Sequence, residues 1–232
     1  SVNDVGPADF TYRNGGFKLV KYTLLPINLK KAVKTTDGKT VMQTYTPEIA
    51  ESPEMLQLLK PFQDFGQQKL LVEVGSSDAK LEGDRSVVRS QPTALGVMIG
   101  QAMMDKTKAD FAIVNAGGVR DSLPAGKLTY KDVLTVHPFG NTVVVVTLNG
   151  KEVLDYLNAA AKMTPGSGAF AQFAGVQLVI EGGKVQSAKV AGQDIDPAKT
   201  YRMAINNFVA AGGDGYPKLS THPGYVDTGF VD

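Results

Sequence analysis

The sequence predicts an α/β (α+β) fold: a mixed sheet with helices packed on it, preceded by a β-only stretch and a linking helix. Three observations predict it. Residues 1–52 alternate apolar and polar side chains in short runs, the period of strands. A helical stripe follows at Met55, Leu58, Leu59 and Phe62. Beyond Leu70, short apolar runs and helical stripes are interleaved, the pattern of sheet and helices sharing one core.

Residues 9–13 and 17–22 alternate about Asn14-Gly15, a dipeptide suited to the left-handed angles of a tight hairpin. Residues 24–29 continue extended, with Pro26 placing them at an edge. Lys30-Lys31 and then Thr36-Asp37-Gly38-Lys39 read as polar loop. Proline logic starts a helix at Thr46-Pro47-Glu48 or Ser52-Pro53-Glu54, and Pro61 is expected to break it. The polar residues 63–69, with Gly66, then read as a linker and hinge, so a domain boundary is expected between 52 and 72.

After it come a strand at 70–74, a loop at 81–85 and a helix at 93–106 burying Leu95, Met98, Ile99, Ala102 and Met103. A buried strand at 111–114 ends at Gly117-Gly118, and residues 142–148 form the strongest strand. Asn149-Gly150 closes that strand, and a helix at 151–162 puts Val153, Leu154, Leu157 and Ala161 inside. Residues 176–180 and 185–190 form a hairpin about Glu181-Gly182-Gly183, and a strand at 201–205 leads into a glycine-rich loop at 206–217.

Composition excludes several functions. A net charge of +1 offers no electrostatic footprint for nucleic acid or a membrane surface. No apolar run approaches the roughly 20 residues of a membrane span. Without cysteine there are no disulfides and no thiolate metal site. The two histidines, His137 and His222, stand far apart and outside any ligand-spaced cluster. Metal-dependent chemistry would therefore need residues from outside this chain. The start at Ser1, without an initiator Met, is expected of a processed or shortened chain.

Four stretches carry recognisable chemistry. Around Asp214, the loop offers the Phe208 ring, glycine backbone and one carboxylate; a tight turn is the plainer alternative. Arg85 and Arg89, four apart beside Gly83, could fork a phosphate on one helical turn, or form a solvated charged turn. Arg120 follows Gly117-Gly118 at a strand end, beside Asp121, with a surface ion pair as the alternative. Phe139, between Pro138 and Gly140, could present a second stacking ring, with Asn141 at a base edge; His137 reads as structural. Together these form an inventory for one nucleotide.

Leu81-Glu82-Gly83-Asp84-Arg85, Gly117-Gly118-Val119-Arg120-Asp121-Ser122, Pro138-Phe139-Gly140-Asn141 and Gly212-Gly213-Asp214-Gly215-Tyr216-Pro217 resemble the 5′-nucleotidase family. The resemblance extends over nearly the whole chain, including residues 45–51. It implies a nucleotide-binding C-terminal domain at 72–232, a helical linker or hinge at 53–71, and at 1–52 a remnant of the metallophosphoesterase domain. In that family the preceding domain holds two divalent metal ions and performs hydrolysis, so this chain is expected to hold no metal ligand and no catalytic residue. The family usually continues past the point matching Asp232, so the chain is expected to be a fragment. Such a fragment is expected to bind nucleotide weakly and turn nothing over.

Carried over by motif, Phe139 and Phe208 would sandwich the base, Asn141 would contact its edge and Asp214 would accept the ribose hydroxyls. Arg85, Arg89 and Arg120 would face the phosphate, and Gly168 would leave room in the base pocket. The implied partners are nucleotides or nucleotide sugars and the absent N-terminal catalytic domain, without nucleic acid and without a transmembrane segment. A dimer through edges left by truncation is a further expectation. The resemblance implies a periplasmic location, with a membrane-anchored parent left open. A stand-alone nucleotide-binding module and a structural domain with a vestigial pocket are the alternative readings.

Overall fold

A computed structural model describes residues 4–36 and 40–232. Its contacts divide the chain into two compact units, residues 1–65 and 66–232.

The first unit is built of strand pairs. β1 (Asp4–Val5) pairs with β4 (Leu25–Pro26), β2 (Ala8–Arg13) with β3 (Gly16–Tyr22), and β5 (Lys30–Lys34) with β6 (Thr40–Thr44), all antiparallel. The Asn14-Gly15 turn joins β2 to β3 with both residues at positive φ (51° and 79°), as its composition predicts. Phe17 meets Phe10 edge-on and tilts onto Tyr12. None of this unit's described residues is buried. Lys30 and Lys31, expected in a loop, begin β5 instead, because the run 30–34 finds a full partner in 40–44. Residues 37–39 of the expected polar loop lie outside the described residues.

Helix α1 (Pro53–Leu70) crosses from the first unit's residues into the second's. It does not break at Pro61. Ser52 Oγ accepts from the Met55 N–H at 3.3 Å, and Pro53 opens the first turn, where its missing N–H costs nothing. The Lys60–Asp64 pair, at 2.9 Å, brackets Pro61, and good helix formers carry the helix on through the stretch expected to be a linker.

In the second unit, β7 (Glu73–Ser77) begins three residues later than expected, and α2 (Arg85–Val88) and α3 (Ala94–Thr107) follow. Then come β8 (Phe111–Asn115), β9 (Gly126–Thr129), α4 (Tyr130–Val136), β10 (Thr142–Asn149) and α5 (Gly150–Ala160). The chain continues through β11 (Ala171–Ala174), β12 (Val176–Glu181), β13 (Lys184–Val190), β14 (Gln193–Asp194), β15 (Thr200–Asn206), α6 (Asn207–Ala210) and β16 (Tyr225–Val231).

The central sheet has the order β11-β8-β15-β10-β16. β8 and β15 run parallel, whereas β11–β8, β10–β15 and β10–β16 are antiparallel, so the sheet is mixed. Successive side chains of one strand serve opposite faces. Phe111 and Ile113 join Val144, Met203, Ile205 and the α5 residues Val153, Tyr156 and Leu157. Ala112 and Val114 join Ala204, Ala174 and Met103 of α3 on the other side. Covered on both faces, β8 is buried at every residue, which is why it reads as an unbroken apolar run.

Small residues let α3 lie close to the sheet. A Cβ on Gly100 would stand 2.7 Å from that of Ala174. Consequently the buried stripe of α3 is Leu95, Gly96, Gly100 and Met103, and the expected members Met98 and Ala102 are exposed. On α5 the buried face is Val153, Tyr156, Leu157 and Ala160. Asn149-Gly150, which closes β10, also starts α5: Asn149 accepts from the Glu152 N–H while Glu152 accepts from that of Asn149, a reciprocal cap.

Candidate functional site

The parallel pair sets the site. Because β8 and β15 run side by side in one direction, their carboxyl ends, Asn115 and Asn206, arrive together. Asn206 Nδ2 donates to Asn115 Oδ1 at 3.0 Å, and both residues are buried. Crevices outside the carboxyl ends of sheet strands are favoured ligand positions in α/β folds. Here the crevice is a cavity of about 340 Å³ lined by Arg89, Asn115, Gly117, Gly118, Arg120, Phe139, Asn141, Gly168, Phe208 and Asp214. That is within the size range of small-molecule sites.

The acidic group is held from below. Asn206 caps α6 by accepting from the Val209 N–H, which fixes its amide, and Asn115 passes that orientation on. Asn115 Nδ2 donates to Asp214 Oδ2 at 2.8 Å. Asp214 itself sits at φ 56°, between Gly213 and Gly215 (φ 84°), so the glycine-rich loop lets the backbone double back and aim the carboxylate inward. Gly213 is needed for a second reason: a Cβ there would lie 2.5 Å from the Phe208 ring. That ring, 46% exposed, packs its edge over the loop.

The second ring belongs to Phe139, 56% exposed in the turn that ends at Asn141, with Gly140 at φ 61°. Two large rings open to solvent on one cavity are available for stacking. Asn141 Nδ2 donates to Asp232 Oδ2 at 3.4 Å.

Two guanidinium groups bring positive charge. Arg89 caps the end of α2 and is 8% exposed, with Nε lacking a hydrogen-bond partner. Burial and then the neighbouring Arg85 and Arg120 lower its pKa, while Asp214 opposes them. Arg120 is exposed; its Nη1 donates to the Gly117 carbonyl at 3.4 Å, and its guanidinium lies over the Phe139 ring. Arg85 does not line the cavity. Of the pair expected on one helical turn, Arg89, at the buried end of α2, lines the cavity and Arg85, at its start, does not.

Gly168 borders the cavity through backbone. Its carbonyl accepts from the Gly117 N–H at 2.7 Å, and a Cβ on it would come within 3.8 Å of Arg89 Nη1 and 3.7 Å of Asp214 Oδ2. Its loop is held by Tyr216, whose hydroxyl donates to the Ala169 carbonyl at 2.6 Å and whose pKa burial raises. Tyr156 stacks on Tyr216 at 6.2 Å.

The first two motifs are interlocked. Leu81 and Leu123 form a bridge, Ser122 Oγ donates to Glu82 Oε1 at 2.8 Å, and Ser122 Oγ accepts from the Gly83 N–H at 2.9 Å. A Cβ on Gly83 would strike the Asp121 carbonyl oxygen at 2.1 Å, so only glycine permits the approach.

Asn115 and Asn206 were not singled out in the sequence. The available signal is an amide at the end of an otherwise apolar buried run, Phe111-Ala112-Ile113-Val114-Asn115, where only a partnered polar group is tolerated. Among the described residues no three His, Asp or Glu side chains converge to hold a metal ion, so nothing in them fits a two-metal centre. No described helix is long and apolar enough to cross a membrane.

The family model of the 5′-nucleotidase C-terminal domain matches residues 73–221. The chain is 54% identical to Protein UshA of Escherichia coli (strain K12) over 228 residues, which is 98% of this chain and 42% of that protein. It is 53% identical to a 5′-nucleotidase of Vibrio cholerae serotype O1, over 98% of this chain and 41% of the relative. Among solved structures, a 5′-nucleotidase precursor from Thermus thermophilus matches with a TM-score of 0.66 and 30% identity, covering 99% of this chain and 45% of that one. The chain thus spans about two fifths of the length of the curated relatives it matches.

Proposed function

Since this chain belongs to the 5′-nucleotidase family through its C-terminal domain, we propose that the cavity recognises the nucleoside part of a nucleotide for a phosphate-ester hydrolase. The observation that carries this reading is the convergence of two open rings, Phe139 and Phe208, with a carboxylate held in place by Asn115. The base stacks between the rings, which tolerate any base. Asp214 accepts from the ribose hydroxyls, and Asn141 meets the base edge. Arg89 and Arg120 give the phosphate side its positive charge. Arg85, outside the lining, acts on the phosphate only at longer range.

In this reading residues 72–232 are the recognition domain, 53–71 a linker and hinge, and 1–52 belong with a metallophosphoesterase domain. Two divalent metal ions held by that domain would supply the hydrolytic chemistry. The chain's own groups bind and orient the substrate, a nucleotide or a nucleotide sugar. A periplasmic setting agrees with the resemblance to UshA-type proteins.

Calorimetric titration of the 232-residue chain with adenosine and AMP, with and without a divalent cation, tests the reading. Metal-independent binding that weakens by about 1–3 kcal/mol in Phe208→Ala is expected. Absence of nucleoside binding, or binding indifferent to both rings, would sink it and favour a structural domain. Metal-dependent AMP hydrolysis by this chain would contradict the assignment of the chemistry to another domain.

A further inference from the structure

Two segments of the chain, each carrying an arginine of the cavity, are clasped together at a point outside it. Arg89 ends α2, which starts directly after Asp84, and Arg120 stands two residues before Ser122. The Leu81 and Leu123 backbones exchange hydrogen bonds of 2.9 and 3.0 Å. One hydroxyl then joins both sides: Ser122 Oγ accepts from the Gly83 N–H at 2.9 Å and donates to Glu82 Oε1 at 2.8 Å. The same Glu82 oxygen accepts from the Asp84 N–H at 2.9 Å, while Oε2 meets Lys80 at 3.0 Å. Asp84 in turn caps α2 by accepting from the Ser86 N–H. An unbroken series of bonds thus runs from Ser122 to the first turn of the helix that ends at Arg89.

The other end of each segment is anchored separately. The Arg120 N–H donates to the Val136 carbonyl at 2.9 Å, and Gln172 holds the Val88 carbonyl just before Arg89. What remains to be fixed is the approach of one cation to the other. Burial, then Arg85 and Arg120, lower the pKa of Arg89, the mark of like charges brought close. Without an anion between them such groups repel, and the backbone beneath them spreads unless it is tied. Donors already held at their spacing bind an anion more tightly than donors that the anion must first assemble.

We propose that Ser122 is a positioning residue: through Glu82 and the Gly83 N–H it fixes the Arg120 loop against α2 and keeps Arg89 and Arg120 spaced for one phosphate group. Ser122 lies outside the cavity lining and touches no ligand there. The proposal rests on the nucleotide reading of the same cavity.

The test is calorimetry of the 232-residue chain with adenosine and AMP. The unaltered chain binds AMP about tenfold or more tightly than adenosine, the scale of a hydrogen bond to a charged group. In Ser122→Ala that advantage falls to about threefold or less while adenosine affinity stays within about twofold, and Ser122→Thr, which keeps the hydroxyl, recovers it. Glu82→Ala opens the clasp from the other side and loses the advantage too. The sign is diagnostic, because removing a carboxylate near the arginines favours an anion on charge alone. An undiminished advantage in Ser122→Ala, equal losses for both ligands, or tighter AMP binding by Glu82→Ala overturns the proposal.

A ligand-free measurement separates this from the broader reading. In 15N NMR spectra the Gly83 N–H of the unaltered chain exchanges slowly with water, and about tenfold or more faster in Ser122→Ala but not in Ser122→Thr. Fast exchange in the unaltered chain overturns the positioning role even if both alanine variants fail to fold. Failure of the unaltered chain to prefer AMP overturns the phosphate reading and the spacing role with it, while the Gly83 signal still decides whether Ser122 holds the two segments together.

Discussion

The guanidinium carbon of Arg120 lies 5.6 Å from the centre of the Phe139 ring, so the cavity pairs its exposed cation with its more exposed aromatic. In the proposed function these two groups serve opposite ends of the ligand. A contact of this kind contributes about 0.5–1 kcal/mol at an exposed site, whereas a hydrogen bond to a charged group contributes about 1.5–3 kcal/mol. A phosphate therefore draws Arg120 away from the ring with free energy to spare. Arg120→Ala should weaken AMP binding roughly tenfold or more and leave adenosine binding unchanged or slightly stronger. Equal losses for both ligands, measured by calorimetry, would show that Arg120 does not act through the phosphate.

A second expectation concerns the chain of amides beneath Asp214. Asn206 orients Asn115, and Asn115 orients Asp214, through bonds of 3.0 and 2.8 Å. Asn115→Ala removes the middle link and leaves the Asp214 carboxylate free to swing. Affinity for adenosine should fall by about 1–2 kcal/mol, the value of one charge-assisted hydrogen bond. Binding of 2′,3′-dideoxyadenosine, which lacks the hydroxyls assigned to Asp214, should hardly change. A matching loss for the dideoxy compound would place Asp214 elsewhere in recognition.

These two sites show what can and cannot be read from the chain. Phe139, Arg120 and Asp214 stand in local patterns, glycine and proline around an aromatic or a charge, that force a turn and expose the side chain, whereas Gly168 is marked only by the resemblance to the family. Such patterns are visible in a few consecutive residues. Asn115 and Asn206 lie 91 positions apart and meet only because β8 and β15 run parallel; nothing local announces the pairing. Element positions followed apolar period well, but packing distance overruled it on α3. There the glycines that approach the sheet, rather than Met98 and Ala102, mark the buried face. At Pro61 a strong local rule lost to the cap, the ion pair and the helix formers around it.

Glu82 gives a pH-dependent expectation. Its pKa is held down to about 2, first by the Asp84 backbone N–H and then by Lys80 and Ser122. A carboxyl with a native pKa below its unfolded value stabilises the fold above the unfolded value, near 4.5 here, and loses that contribution as pH falls toward the native one. The window is thus about pH 4.5 down to about 2. In it, thermal unfolding of the unaltered chain should move to lower temperature more steeply than that of Glu82→Gln, with the two profiles parallel above it. Parallel profiles throughout would mean that the Glu82 bonds persist on protonation.

Gln172 ties the fold to Arg89. Wholly buried on β11, it accepts from the Thr93 N–H at 2.8 Å and donates to the carbonyls of Val88 and Gln91 at 2.7 and 2.8 Å. It also packs on Gly96, where a Cβ would lie 2.5 Å from its Oε1. One amide thereby fixes the segment on both sides of Arg89. Gln172→Leu keeps the volume but strands two buried backbone groups, the Thr93 N–H and the Val88 carbonyl, and the half-buried Gln91 carbonyl. Each buried group left unsatisfied costs about 1–3 kcal/mol. After partial relaxation, a loss of about 3 kcal/mol in urea denaturation is expected. Gln172→Glu keeps the acceptor for Thr93 yet sets a carboxylate against two carbonyl oxygens, so it should be at least as unstable near neutral pH and recover part of the loss on acidification, when the acid can again donate. A loss below about 1 kcal/mol in both variants would mean that water takes over the three bonds and that residues 88–93 are held by packing alone.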